Sequence, residues 1–473
     1  MDEKKYGKAI ENASEILIDA MLEDVDELID EGRQLDAKVR KVLFEVGARM
    51  MVRLFAIIGA VLVEEAKRKG MGVERRPTVT FKTIYGPIEV ESAYLRNVEG
   101  GESTRPMREH LGVEGERYSD AVDRAVSDFG AENSYQKSTD RFFEHYGWHM
   151  GRTTVRSRTM DVAEAAQAYI EERFADSQKA YQEPTATRKP ARQMLVEADG
   201  CHIRCGELMT AKEARQKCED EAQLARLEQV DDDKVVRLEQ WKEVRTGLAR
   251  RPGQVEPTYV CRRGSWDVVA QQLFAAACEH GLGFETQVIA PGDGGIGLKE
   301  ALEVWFPHLQ FILDRPHLKS HVHECAQLLS EVDALDMSID DWVDEVMDTI
   351  HKGHVDQVLA DSQDRHAQME EVVEELAEDS QEVSAYQRLG RLIGHLRRFY
   401  NCVDYQAYED KAWPIGSGEV ESAHKTVPQG RLKKPGACWK EENLNPMCAL
   451  RTLRANGWWD DFWAWENKRR RAA

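Results

Sequence analysis

The sequence contains no Cys-x-x-Cys pair, although nine cysteines are spread over its 473 residues. An odd number of scattered cysteines argues against a disulfide framework and a zinc ribbon, and favours reduced thiols in a cytoplasm. No signal peptide is visible, because the first residues are acidic with a helical pattern. The longest apolar run, 54–63, is too short to span a bilayer and is expected to be a buried helix. We therefore expect a protein of the cell interior with no membrane partner.

An excess of positive charge is also missing, since the net charge is −21. The acidity is local, however: residues 1–31 and 331–383 together carry −24, which leaves the rest of the chain at +3. The last 51 residues, 423–473, carry +6. The charge therefore does not exclude DNA as a partner, and it predicts weak, salt-sensitive binding.

The length and an apolar fraction of 42 % predict two to four domains with at least one sizeable core. Changes in composition and periodicity divide the chain into seven segments. They are a helical N-terminal region at 1–75 that packs or self-associates, a β-hairpin at 76–118, a helix-turn-helix region at 119–175, a linker at 176–192, the first part of an α/β core at 193–320, an acidic helical insertion at 321–405, and a final helix with a basic C-terminal region at 406–473.

Two helical runs between residues 119 and 160 are separated by the turn residue Gly147, which predicts a helix-turn-helix. Arg152, Arg156 and Arg158 lie in this segment and are candidate contacts to DNA. A plain helical hairpin is the alternative interpretation.

From residue 193 the pattern predicts three strands, a helix, a strand, a helix and a strand. The predicted strands are 194–205, 241–248, 258–261, 286–290 and 309–313. This order is typical of an RNase H-like α/β domain, which is the predicted fold class of the catalytic region.

Three acids stand where such a domain would hold metal ions. Asp199 and Asp293 each follow a short apolar strand, and Glu421 follows a Gly-Ser-Gly turn at the start of a predicted helix. Strand ends meet at the carboxyl edge of an open sheet, where ligands bind. Two Asp and one Glu can hold two Mg²⁺ or Mn²⁺ ions about 4 Å apart. Taken alone, an Asp-Gly pair is more often a turn than a ligand.

Several neighbouring residues are alternatives or supporting groups. Glu419 lies about 200° around the helix from Glu421, so both cannot easily face one metal pair. Asp314 ends the next strand and could replace Asp293, or else lie behind the ligands together with His317. A zinc site built from His317, His321, His323 and Glu324 is a further alternative, against ordinary packing of the histidines.

Longer stretches resemble the DDE insertion-sequence transposases of the Kra type, relatives of the Mutator-like group. The matching stretches are Val196-Glu-Ala-Asp-Gly200, Gly292-Asp-Gly-Gly295, Ile312-Leu-Asp-Arg-Pro-His317, Ile415-Gly-Ser-Gly-Glu-Val-Glu-Ser422, Arg431-Leu-Lys-Lys-Pro-Gly436 and Leu450-Arg-Thr-Leu-Arg454. The resemblance covers roughly residues 190–465. It implies an RNase H fold with Asp199, Asp293 and Glu421 as the metal-binding triad. Related proteins often carry a Cys-x-x-Cys after the hairpin, which this chain lacks.

Basic residues follow the proposed catalytic Glu. Lys425, Arg431, Lys433 and Lys434 could hold the phosphate backbone beside the metals, and a solvated loop is the alternative. Together these features predict a transposase of a bacterial cell interior that cuts and joins DNA at its element's ends. A homodimer or larger assembly would pair two ends. The alternatives are a catalytically retired DNA-binding or assembly protein and a nuclease that never joins strands.

Overall fold

The computed structural model describes residues 3–23, 29, 32–97, 100–113, 117–182, 190–373, 376–377 and 379–472. The chain forms two compact units. The first contains residues 1–129, 135–156 and 471–473, and the second contains residues 130–134 and 157–470. The three candidate metal ligands all belong to the second unit.

The first unit begins with two helices, α1 (Glu3–Leu22) and α2 (Leu35–Arg68). One face of α2 packs on a small apolar core, where the ring of Phe55 meets that of Phe81 edge-on at 5.6 Å. Aromatic pairs prefer this edge-to-face arrangement, and it ties α2 to the β-structure that follows.

Most of α2 is exposed. Counted from Gly32 to Arg68, the helix contains an 18-residue window with a mean hydropathy of 2.0, of which 6 % is buried. By length and composition alone it is apolar enough to cross a membrane. The expectation of a buried helix at 54–63 is therefore wrong, because Gly59 and Val63 are the buried residues that α2 contributes.

Antiparallel strands follow in two groups. β1 (Met71–Arg75), β4 (Tyr94–Asn97) and β5 (Ser103–Thr104) form one sheet, and β2 (Thr78–Thr83) and β3 (Gly86–Glu91) form a hairpin. The hairpin predicted within 76–118 is present, with its turn at residues 84–85. Gly86 pairs with Thr83 at a φ of 115°, which glycine adopts without steric cost. A short helix, α3 (Pro106–Leu111), ends this segment.

Three helices come next: α4 (Asp120–Glu132), α5 (Tyr135–Tyr146) and α6 (Arg152–Gln182). A turn at Gly147, with a φ of 72°, separates α5 from α6. This order agrees with the predicted helix-turn-helix, although α6 has 31 residues and is much longer than expected. Helix α6 also includes residues 176–182 of the predicted linker, and residues 183–189 lie outside the described residues.

The second unit is built on a five-stranded mixed sheet. Its strands are β6 (Gln193–Thr210), β7 (Val235–Arg250), β8 (Thr258–Arg262), β9 (Gln287–Gly292) and β10 (Leu309–Leu313). They are ordered β10-β9-β6-β7-β8, with β6, β7 and β8 antiparallel and β9 and β10 parallel to β6. All five predicted strands are present, although β6 continues to residue 210 and β7 begins at residue 235, beyond the predicted limits of 205 and 241.

Helices connect these strands. α7 (Ala211–Lys217) and α8 (Glu221–Leu227) lie between β6 and β7, while α9 (Trp266–Glu279) and α10 (Leu298–Trp305) flank β9. Apolar residues of β9, of β10 and of the first two thirds of β6 are buried in one large core. Near-continuous burial of this kind is typical of strands covered on both faces.

The predicted acidic insertion is helical. It consists of α11 (Arg315–Glu331), α12 (Ile339–His351), α13 (Val355–Val373) and α14 (Gln381–Arg398). Because α11 starts directly after β10, the helical region begins at residue 315 and not at 321. Its apolar side chains belong to the same core as the sheet.

The chain then returns to the sheet through α15 (Tyr405–Asp410) and α16 (Gly418–His424). A π-helical stretch (Lys425–Gln429) and α17 (Gly430–Leu432) lead to α18 (Leu444–Ala455) and α19 (Trp459–Ala472). Trp458, just before the last helix, and Trp463 within it are buried.

Candidate active site

Asp199 lies in β6, opposite Thr246 of β7, with about a third of its side chain exposed. The amide of Gly200 donates to one carboxylate oxygen at 2.6 Å. Nε2 of the buried His424 lies 3.1 Å from the backbone carbonyl oxygen of Asp199 and 3.8 Å from its other carboxylate oxygen. These contacts connect β6 directly to the end of α16.

Asp293 follows β9, the strand beside β6, and its carboxylate accepts a hydrogen bond from the amide of Gly295 at 2.8 Å. Burial raises the pKa of Asp199, and the negative charge of Asp293 raises it further, while His424 and the amide of Gly200 oppose this. A carboxylate affects the pKa of another in this way when the two are close. The two Asp therefore lie in one electrostatic neighbourhood. Asp199 is not at a strand end as predicted, because β6 continues past it to Thr210.

Glu421 is exposed on α16 and lines an open cavity of about 480 Å³ together with Asp199. Lys425, Lys433 and Trp241 line the same cavity. Asp199 and Glu421 are thus brought to one surface although they are far apart in the sequence, and two cations and one indole accompany them.

Carboxylate oxygens are suitable ligands for Mg²⁺ and Mn²⁺. Repulsion between Asp199 and Asp293, which a divalent cation would relieve, fits that chemistry. Among the described residues, however, no three His, Cys, Asp or Glu side chains stand close enough together to hold one ion. The donor types fit a metal pair, and the side-chain arrangement is more open than a formed metal site.

Asp314 is buried and fully engaged. One carboxylate oxygen accepts from the amide of His317 at 2.7 Å and so caps α11. The other accepts from the amide and hydroxyl of Ser417, at 2.7 Å and 2.6 Å. Asp314 therefore attaches the Gly-Ser-Gly turn before α16 to the end of β10, and acts as a positioning residue.

Glu419 also has a protein partner. Both of its carboxylate oxygens accept from the guanidinium of Arg250 on β7, one of them at 2.8 Å. This pair holds the first turn of α16 against the sheet, on a different side of the helix from Glu421.

Glu197 lies beneath the start of α16 and was not singled out by the sequence analysis. It is 1 % exposed, and its carboxylate accepts from the amide of Val420 at 2.8 Å. Burial, with smaller contributions from Glu419 and Asp314, raises its pKa to about 8. A buried acid inside an apolar strand could have been noticed, because such a residue needs a partner.

The histidines of α11 are engaged in packing and hydrogen bonds. The rings of His317 and His321 are 5.4 Å apart, and Arg388 of α14 donates to Nδ1 of His321 at 2.8 Å. Arg388 also pairs with Glu324. The guanidinium of Arg388 therefore already bonds to two of the proposed zinc ligands, His321 and Glu324. The described residues also contain no cluster of side chains that could hold a zinc ion. The structure therefore gives the zinc alternative no support.

The predicted DNA contacts have different surroundings. Lys425 and Lys433 are exposed at the cavity, and Lys434 is half-buried. Arg431 is 4 % exposed, donates from Nε to the carbonyl oxygen of Gly130 at 2.8 Å, and stacks on Trp439. Its prediction as a DNA contact is corrected, because a buried guanidinium that bonds to the backbone cannot reach a phosphate.

In the helix-turn-helix segment, Arg152 and Arg156 are exposed. Arg158 is half-buried and pairs with Asp161 at 2.9 Å. Arg152 and Arg156 therefore remain candidates for DNA contacts, while Arg158 already has an acidic partner.

Two residues at the cavity escaped the sequence analysis. Trp241 is 65 % exposed, which is unusual for an indole, and its aromatic face is available to a planar ligand. His424, one turn after Glu421, contacts Asp199. The spacing of Glu421 and His424, three residues apart on one helix, was the signal that could have indicated His424.

The model of an uncharacterised protein family, UPF0236, matches residues 33–218. Three UPF0236 proteins of Caldanaerobacter subterraneus subsp. tengcongensis are similar along most of the chain. One is 21 % identical over 429 residues, which cover 90 % of this chain and 79 % of that protein. The other two are 20 % identical over 429 residues, which cover 90 % of this chain and 78 % of theirs.

Among solved structures, the Drosophila P element transposase strand transfer complex has some similarity, with 11 % identity and a TM-score of 0.24. The match covers 76 % of this chain and 83 % of that chain. A score of this size does not establish a shared fold.

Proposed function

We propose that this protein is a DDE-type DNA transposase that cleaves and joins strands at the ends of its element. The observation that carries the proposal is the convergence of Asp199 and Glu421 on one cavity, with Asp293 close enough to influence Asp199. Three acids from β6, β9 and α16 are the set that the resemblance to Kra-type transposases implies.

The strand order supports an RNase H-like assignment for the second unit. Three antiparallel strands continue into two parallel ones, with β6 in the centre of the sheet. This arrangement places Asp199 on the central strand and Asp293 on its neighbour.

Each residue of the site has a role in the proposed chemistry. Asp199, Asp293 and Glu421 would hold two Mg²⁺ or Mn²⁺ ions. When bound, such ions activate the attacking oxygen and stabilise the leaving oxygen of a phosphodiester. Lys425 and Lys433 neutralise phosphate charge next to these acids. Catalysis then comes from charge stabilisation and in-line positioning, without a covalent protein intermediate.

Two other features support a mobile gene and a DNA partner. The name of one Caldanaerobacter relative combines eleven locus designations, the pattern expected when a gene is copied together with its element. In this chain, exposed Arg152 and Arg156 at the start of α6 offer contacts to the DNA of the element's end.

The proposal is tested with purified full-length protein and a supercoiled plasmid carrying the DNA that flanks the gene on both sides. We expect nicking and joining that require Mn²⁺ or Mg²⁺, and a loss on the order of 100-fold or more in Asp199→Asn and in Glu421→Gln. Glu207→Gln, a change at an exposed acid on the same strand as Asp199, serves as the matched control. Equal activity in the unchanged protein and all three variants would show that the proposed triad does not catalyse the reaction.

A catalytically retired DNA-binding protein is the second candidate. The open arrangement of the three acids favours it, since the described residues contain no ready-made cluster of ligands. Specific binding to flanking DNA without divalent-ion-dependent cleavage would support this candidate. Cleavage without joining of pre-cut ends would instead indicate a nuclease.

A further inference from the structure

Helix α2 carries a row of exposed apolar side chains on one flank. Each has between 48 % and 57 % of its surface exposed. The row consists of Leu43, Met50, Leu54, Ile57 and Val61. Burying such surface is favourable, and contiguous exposed apolar patches of this kind mark interaction sites.

The spacing of this row is that of a coiled-coil seam. Successive members are separated by seven, four, three and four residues, which places them at the two core positions of a heptad. The position between Leu43 and Met50 is Gly47, where the ring of Tyr85 lies against the helix and supplies apolar surface. The seam therefore continues for about 27 Å along α2.

The remaining faces of α2 argue against a lipid environment. Met51 and Phe55 pack on the apolar core of the first unit. On another side, Arg49 and Arg53 are exposed near the middle of the helix, before the apolar run 54–63. A helix with one face on protein and two charges at its centre is poorly suited to span a bilayer.

We propose that the row on α2 binds the same row of a second copy of this chain, with the two helices antiparallel. In that orientation Met50 lies opposite Leu54 of the second copy, and Leu43 lies opposite Val61. The charges beyond the row then match, because Arg40 lies opposite Glu64 and Asp36 lies opposite Arg68.

The parallel orientation lacks this match. It would place Arg40 opposite Arg40 and Glu64 opposite Glu64, and like charges facing one another are unfavourable. Charge complementarity therefore favours a second copy in the antiparallel direction, although Glu64 also pairs with Lys67 of its own helix at 2.7 Å. The inference does not rest on the proposed enzymatic function.

The test measures the mass of the full-length protein in solution by light scattering and sedimentation, without DNA or detergent. We expect a dimer for the unchanged chain. Met50→Glu combined with Leu54→Glu places acids opposite acids, and should weaken dimerisation by on the order of 100-fold or more. Met50→Glu combined with Leu54→Lys places Glu opposite Lys in the antiparallel pair only, and should remain dimeric.

Val52→Glu is the matched control, since Val52 is exposed on α2 about 200° from both Met50 and Leu54. It should leave the dimer unchanged, and circular dichroism should show equal helix content in all variants. Dimers that survive the Glu/Glu pair would overturn the proposal, and so would a monomeric unchanged chain that binds phospholipid vesicles. Monomers in both double variants would overturn the antiparallel direction.

Discussion

Replacing Glu197 by Gln tests whether a buried acid beneath α16 is kept protonated by its surroundings. Folding raises the pKa of this carboxyl from its ordinary 4.5 to about 8, chiefly through burial. The folded protein therefore binds this proton more tightly than the unfolded chain. Its stability falls as the pH rises from about 4.5 to about 8, and the cost is complete above that range.

The magnitude follows from the size of the shift. One pKa unit corresponds to about 1.4 kcal/mol, so the full cost above pH 8 is on the order of 5 kcal/mol. A Gln side chain avoids this cost because it has no charge. Its carbonyl oxygen can still accept the hydrogen bond from the amide of Val420, which Glu197 accepts at 2.8 Å.

The assay is thermal unfolding at pH 5.5 and pH 8.5 in the presence of EDTA. We expect Glu197→Gln to raise Tm by several degrees at pH 8.5 and by clearly less at pH 5.5, where only about 1.4 kcal/mol of the cost is present. Glu207→Gln, at an exposed position on the same strand, should have no effect at either pH. Equal Tm differences at both pH values would refute the idea that Glu197 is held protonated.

Three further predictions concern the cavity and its supports. Asp314→Ala should cost about 1–3 kcal/mol of stability, because the amide and hydroxyl of Ser417 lose their acceptor; urea unfolding measures this. Lys433→Ala should weaken DNA binding and lower the salt slope of log K by about one, whereas Arg431→Ala should destabilise the protein without changing that slope; fluorescence anisotropy over a salt series separates them. Trp241→Ala should abolish most of the tryptophan quenching by single-stranded DNA, and Trp241→Phe should retain much of the affinity, if a base stacks on this exposed ring.

The strands and helices of the second unit were largely predictable from the sequence. Strands β9 and β10 are short apolar runs, and 286–290 and 309–313 were recognised in this way. The long strands β6 and β7 were recognised only in part, because their outer halves are rich in polar residues. Boundaries were less accurate, because a helix that continues past a polar stretch gives no local signal. Helix α6 extends through residue 182 for this reason, into a segment whose composition is typical of a linker.

The surroundings of single side chains could not be predicted. Arg431 and Lys433 are two residues apart in one basic stretch, yet Arg431 is buried on Trp439 and Lys433 is exposed at the cavity. The difference arises from tertiary packing, which composition does not encode. The exposure of α2 was also missed, because an apolar helix has the same sequence pattern whether its own chain or a second chain covers it.

Around α16, contacts within the protein separate the acids that hold the helix from the acid that faces the cavity. Glu197 and Asp314 are buried, and each accepts hydrogen bonds from the segment 417–420. Glu419 is tied to Arg250. Glu421 alone among these four projects into the cavity beside Asp199. Three carboxylates thus fix the first turn of the helix, so that the fourth is presented at a defined place opposite β6.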